Sequence, residues 1–254
     1  MGLKEIFQRF TKRYESTREG FLYEDVNDEI HIVGFERNAP YAEIPSYINE
    51  KPVTVLGGLS HYPAEEPKIP ETVREIESDT FSSNLYILRI EIPETVQKIG
   101  DSVFDFSALE EVVFPKSLDI SSCTTMFGSA TQLRTVVFPE TAVKIPEYMF
   151  EHAGIATIQI PEGVTVIEKR AFWQCCSLRE VQFPNSLVTI GEMAFCECVE
   201  LERIILPPNV KKVESGAFAD CGNLREVIIT GEMPELGLDA FQNCAVPEHE
   251  IIRR

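Results

Sequence analysis

Seven cysteines, 4 histidines and a surplus of carboxylates are the residues of this sequence that could do chemistry. Four of the cysteines, Cys175, Cys198, Cys221 and Cys244, recur every 23 residues, each three positions after a phenylalanine. Four thiolates suggest zinc, but tetrahedral binding needs all four sulfurs about 3.8 Å apart around one point, given a zinc–sulfur distance of about 2.3 Å. A ladder spread over successive rungs cannot supply that arrangement. Disulfides between adjacent rungs are disfavoured as well, because a rung spacing of about 4.8 Å exceeds the Cβ separation of about 3.8 Å that a disulfide prefers. The ladder therefore reads as reduced core thiols. Cys123, Cys176 and Cys196 complete an odd total of 7, which suits a reducing compartment better than a secreted disulfide scaffold.

His31, His61, His152 and His249 fall at unrelated positions, and no Ser-His-Asp or Cys-His arrangement can be assembled from them. Zincin, phosphate-loop and dinucleotide-glycine motifs are all absent. Carboxylate pairs such as Glu65 with Glu66 and Glu110 with Glu111 read as solvated surface in so acidic a chain. The sequence therefore nominates no catalytic residue, no metal ligand and no cofactor, and a non-enzymatic role is expected.

The charge balance narrows the partners. Across 254 residues, 23 Lys+Arg stand against 41 Asp+Glu, a formal net charge of -18. Such a surface repels a phosphate backbone and an anionic leaflet, so nucleic acid and stable membrane insertion are not expected. No run of about 18 apolar residues and no basic-then-apolar leader occurs. A cytoplasmic location is expected for the chain as written; a chain trimmed of its leader would instead be secreted or displayed at the surface.

The elements that position these residues come from a repeat. Phe81, Phe104, Phe127, Phe150, Phe172, Phe195, Phe218 and Phe241 are spaced by 23, 23, 23, 22, 23, 23 and 23 residues. Pro70, Pro93, Pro115, Pro139, Pro161, Pro184 and Pro207 precede seven of them by 11 or 12 positions, and Pro45 marks an earlier, less regular unit. Within the unit from Leu178 to Cys198, Val181 and Phe183 alternate with Glu180 and Gln182, the signature of a short half-buried strand. Proline then ends the strand, having no amide to donate. An apolar pair such as Leu187 and Ile190 follows, then Ala-Phe, and the chain returns across the coil. One unit alone exposes its Phe, Ile and Leu, and only stacking buries them. The expected fold is a right-handed, β-rich superhelical solenoid with a parallel sheet on its concave face, its eight coils extending roughly 40 Å.

These residues resemble the BspA-like class of leucine-rich repeats, whose unit has the form LxxVxFPxxVxxIGxxAFxxCxxL. The resemblance runs from about Ile44 to Cys244, about four fifths of the chain. It departs from the pattern at Asp119 to Thr125, where DISSCTT replaces the regular segment, and in the stretched first unit from Pro45 to Ser60. It implies a leucine-rich-repeat solenoid that binds partners, is commonly bacterial and displayed at the cell surface, and has no catalytic residues. It also implies that residues 20–43 form a β-hairpin cap, leaving 44–254 as a solenoid of about eight to nine units.

Two columns are expected to face outward from the concave sheet. One is Glu91, Val113, Val137, Gln159, Gln182, Ile205 and Ile228; the other is Arg89, Glu111, Thr135, Thr157, Glu180, Arg203 and Glu226. The partner-contacting set is taken as the first column together with Arg203 and Glu226. Exposed Val113, Val137, Ile205 and Ile228 would be apolar where a plain surface tolerates polar residues, which points to a ligand; the rival reading is that β-branched residues favour strands whichever way they face. A monomer that binds a protein through this sheet is the leading expectation, with a bacterial cell-surface adhesin recognising host matrix or glycan as the alternative.

The first eighteen residues carry Lys4, Arg9, Lys12, Arg13 and Arg18 against Glu5 and Glu15, a net of +3. Leu3, Ile6, Phe7, Phe10 and Tyr14 follow helical spacing, so residues 1–19 are expected to form an amphipathic helix. Such a helix would either cover the open end of the solenoid or lie on a membrane surface.

Overall fold

A computed structural model describes residues 14–246 and 252–253 as a β-solenoid of about nine turns. An antiparallel hairpin opens it, with β2 (Phe21–Val26) paired to β3 (Glu29–Phe35) and β1 (Glu15–Ser16) alongside β2. Asn27 and Asp28 take φ of 52° and 67°, the two left-handed residues that a tight hairpin turn requires. A second small hairpin, β4 (Tyr47–Ile48) with β5 (Lys51–Leu56), follows, and Lys51 ties the two hairpins by ion pairs to Asp25 and Asp28 at 2.6 and 3.0 Å. Because β5 also runs parallel to β3, the cap is continuous with the coils behind it.

Each regular coil contributes two short strands. The first of each pair are β7 (Arg89–Glu91), β9 (Glu111–Val113), β10 (Thr135–Val137), β12 (Thr157–Gln159), β14 (Glu180–Gln182), β16 (Arg203–Leu206) and β18 (Glu226–Ile229), with β20 (Ile252–Arg253) added from the C-terminus. The second are β6 (Glu75–Ile76), β8 (Lys98–Ile99), β11 (Lys144–Ile145), β13 (Val166–Ile167), β15 (Thr189–Ile190), β17 (Lys212–Val213) and β19 (Glu235–Leu236). Pairing between coils is parallel throughout, as in Glu111 opposite Thr135 and Thr189 opposite Lys212. The second-strand ladder extends the cap sheet as far as β8 and restarts at β11, because the irregular coil at Asp119–Thr125 forms no second strand. The first-strand ladder falls into three groups: β7, β9 and β10; β12 and β14; β16, β18 and β20.

The eight repeat phenylalanines form one continuous buried stack. Neighbouring ring centroids lie 4.9 to 5.7 Å apart with planes within 11° of parallel. The turn around each ring is held by left-handed residues two positions before and two positions after it, for example Arg170 and Gln174 around Phe172. This alternation aims amides at the next coil: Arg170, Phe172 and Gln174 donate to the carbonyls of Glu192, Ala194 and Cys196. Only Gly216 among these positions is a glycine, so the sequence carries little sign of the turn.

The expected helix over residues 1–19 is not found in its described part. Residues 1–13, with Lys4, Arg9, Lys12, Arg13 and most of the apolar stripe, lie outside the described residues. Glu15 and Ser16 are strand, and the Glu15 carboxylate accepts a hydrogen bond from the Tyr23 hydroxyl at 2.7 Å. Pairing with the open edge of β2 satisfies backbone groups that the helical spacing of Tyr14 had assigned to a local turn.

Candidate binding surface

The first strands alternate as their short periodicity requires. Their middle residues, Ile90, Val112, Ile158, Val181, Ile204 and Val227, are buried and Val136 is half-buried, which turns the flanking columns outward. In the outer column Glu91, Gln159 and Gln182 are exposed and Val113 is half-buried. Val137 and Ile205 keep 45% and 43% of their surface in water. Ile228 does not join them: it is only 3% exposed. In β18 the successive residues Val227, Ile228 and Ile229 are all buried, so the alternation that turned Ile228 outward does not hold on this last coil. The other column holds Arg89, Thr135, Thr157, Glu180 and Arg203 exposed, with Glu111 and Glu226 half-buried.

Charge is distributed unevenly along these columns. Arg89 reaches Glu111 at 3.1 Å and Glu66 at 3.9 Å, and Arg203 reaches Glu226 at 2.7 Å. Between the two ion-paired ends lies an uncharged belt of Thr135, Val137, Thr157 and Gln159. At the N-terminal end the face deepens into an open cavity of about 520 Å³, floored by Pro67, Ile69, Pro93 and Val113 and walled by Glu66, Lys68, Glu71, Arg89, Glu91 and Glu111. Lys68 escaped sequence reasoning and Glu66 is read there only as solvated surface, although each stands 23 residues before Arg89 or Glu91. Lys68 bridges to Glu91 in parallel, which extends the columns by one coil.

All seven cysteines are free thiols. Cys175, Cys198, Cys221 and Cys244 each donate to the carbonyl of the phenylalanine one coil back, Phe150, Phe172, Phe195 and Phe218, at 2.9 to 3.2 Å. The ladder is thus a row of small donors satisfying buried carbonyls, and burial pushes the Cys175 and Cys198 thiols well up from their ordinary range. No group of His, Cys, Asp or Glu among the described residues is arranged to hold a metal ion. His152 packs edge-on against Trp173, whose ring also lies 4.8 Å from the Arg170 guanidinium, and His61 sits 3.4 Å from Arg37; His249 is outside the described residues.

One buried acid stands apart from the concave face. Asp105 lies beside the phenylalanine stack, and burial pushes its carboxyl up to about 6 against the lowering effect of hydrogen bonds from the Gly128 amide and Ser102. The Gly128 amide reaches it at 2.6 Å, and a Cβ at Gly128 would meet the carboxylate at 3.2 Å. A glycine there lets the amide approach.

A family model described as BspA type leucine rich repeat region, in 6 copies, matches residues 60–175 and 123–248. Among solved structures, a leucine-rich repeat protein from Bacteroides ovatus superposes with a TM-score of 0.70 at 20% identity, over 92% of this chain and 70% of that one. Another, from Eubacterium ventriosum, gives a TM-score of 0.51 at 19% identity, over 92% of this chain and 52% of that one. No curated protein matches.

Proposed function

The chain belongs to the BspA-type leucine-rich-repeat proteins, and from that premise we propose that it is a non-enzymatic module that binds a protein partner on its concave sheet. The observation that carries this reading is the exposure of Val137 and Ile205 on a strand face whose neighbours are threonine, glutamine and ion pairs. Strand propensity accounts for β-branched residues in general, but leaves unexplained why two of them stay nearly half exposed on a concave surface. A concave solenoid face lets one partner touch side chains from many coils at once, so modest contacts add without any deep pocket. The polar belt then supplies hydrogen bonds around apolar contacts, the usual anatomy of an interface.

The test is affinity capture with wild type and with a Val137→Glu, Ile205→Glu double variant, after checking that the two melt alike. Both substitutions point into solvent, so the fold should persist while a buried carboxylate at the interface cuts affinity by about a hundredfold. A protein retained by wild type and released by the variant supports the reading, and equal recovery by both overturns it. Running the capture from cytosol and from extracellular matrix tells an intracellular scaffold from an adhesin.

A further inference from the structure

The residue two positions after each repeat phenylalanine is left-handed in every coil, and in seven of the eight it is polar. The exception is Phe106, with φ of 56° and 62% of its surface exposed. An aromatic residue there combines an unfavourable backbone conformation with a ring in water, and nothing in the packing of the coil requires it. Leu85 and Tyr86, 70% and 52% exposed, lie close by. The Ser83 amide donates to the Asp105 carbonyl at 2.7 Å and the Ala108 amide to the Asn84 carbonyl at 3.0 Å, so residues 83–86 run directly alongside 105–108.

Their outward pose is held from beneath. Asn84 is fully buried; its Nδ2 donates to the carbonyls of Leu59 and Tyr62, and its Oδ1 accepts from the amides of Tyr86 and Ile87. In the last four coils the same position is a cysteine with a single such bond. The saturated amide fixes a loop that presents two apolar side chains to solvent, which removes the ordering penalty a partner would otherwise meet. Three residues beyond Tyr86 the chain enters β7, a wall of the 520 Å³ cavity. There Glu66 and Glu111 share Arg89, while Glu71 and Glu91 have no ion-pair partner among the described residues.

We propose that this apolar rim and the adjoining cavity form one docking site for an extended segment of a partner protein, an aliphatic or aromatic anchor followed by lysines or arginines. The anchor covers Leu85, Tyr86 and Phe106; the basic heads meet Glu71 and Glu91 while their methylene stems lie on Ile69 and Val113. Tyr86 and Arg89 are three residues apart, at most about 10 Å of extended chain. This inference rests on the reading of the concave sheet as a protein-binding face and adds the partner's chemistry.

Fluorescence anisotropy of short labelled peptides tests it, using a Phe-Leu pair followed by a run of lysines, with controls in which glutamates replace the lysines or serines replace Phe-Leu. Wild type should bind the first peptide saturably and neither control. Phe106→Asn should weaken binding by about tenfold while melting no lower than wild type, since asparagine tolerates the left-handed backbone. Glu91→Gln should flatten the salt dependence, and Leu238→Glu, at an exposed position on the last repeat coil, should leave binding unchanged. Equal binding by Phe106→Asn, or of the glutamate peptide, overturns the proposal. Loss of peptide binding in Leu238→Glu also overturns it, moving the site away from the rim while sparing the protein-binding reading. Failure of both the peptide and the capture experiment removes both.

Discussion

Asp105 shows how much a single residue can decide in a repeat. Its carboxyl is held near 6 by burial, against about 3.9 in an unfolded chain. The folded state therefore keeps the proton more tightly than the unfolded state. The stability this contributes is fully present below pH about 4 and is lost as the pH rises through about 6. Asp105→Asn keeps an oxygen for the Gly128 amide and removes the titration. The variant's melting temperature, relative to wild type, should therefore rise steadily between pH 4 and 7, by an amount equivalent to roughly 2 kcal/mol. A difference that stays constant over this range would mean that Asp105 is not desolvated as described. Nothing about its sequence position marks Asp105: the equivalent residues are Ser82, Gly128 and Trp173, and its environment arises only once neighbouring coils are stacked. Ile228 is a similar case, indistinguishable from Ile205 by period yet buried in a strand, β18, whose last three residues do not alternate.

At the level of elements, the phenylalanine stack and the strand ladders bear the load together. Phe172 sits at the centre, with rings 4.9 Å away on both sides and no exposure. Phe172→Ala should destabilise by about 3–5 kcal/mol, because the cavity it opens is walled by two rings that cannot collapse into it. Phe172→Leu should recover part of that loss; chemical denaturation of the three proteins measures both, and a loss under about 1 kcal/mol for alanine would show that the coils relax independently. The stack was fully legible in the sequence, since phenylalanine at a constant period admits one arrangement. The first strands were legible for the same reason, their alternation being short but repeated, whereas the second strands, two residues each, are too short to show one. The turn between them was not, because left-handed residues such as Tyr148, Arg170 and Met193 carry no preference for that conformation and are held by bonds to the next coil. The expected helix over residues 1–19 fails at Glu15 and Ser16, which pair instead with the open edge of β2; residues 1–13 lie outside the described residues.

For the whole molecule, the weak link is the coil at Asp119–Thr125. Its Cys123 amide bonds locally and its Ser121 and Thr124 amides bond to the Asp119 and Asp101 carboxylates, leaving Thr125 to reach a backbone carbonyl on the next coil, that of Glu147 at 3.4 Å, where regular coils make several such bonds. In a solenoid, stability is a sum over neighbouring coils, so a coil lacking one ladder is where opening starts. Native-state hydrogen exchange should show Ser121 and Thr124 exchanging about tenfold or more faster than Lys98 and Thr189. Uniform protection across the chain would instead indicate a single cooperative unit.

The ring stack also acts as a measure of bend. Centroids are 5.7 and 5.6 Å apart between Phe81, Phe104 and Phe127, but 4.9 Å between Phe150, Phe172 and Phe195. Parallel strands are tied at about 4.8 Å by their hydrogen bonds. Two rows that share the same coils but advance by different steps must arc, and the arc is tightest where the steps differ most. That is among the coils carrying Arg89, Glu91, Glu111 and Val113, where the concave face holds its cavity.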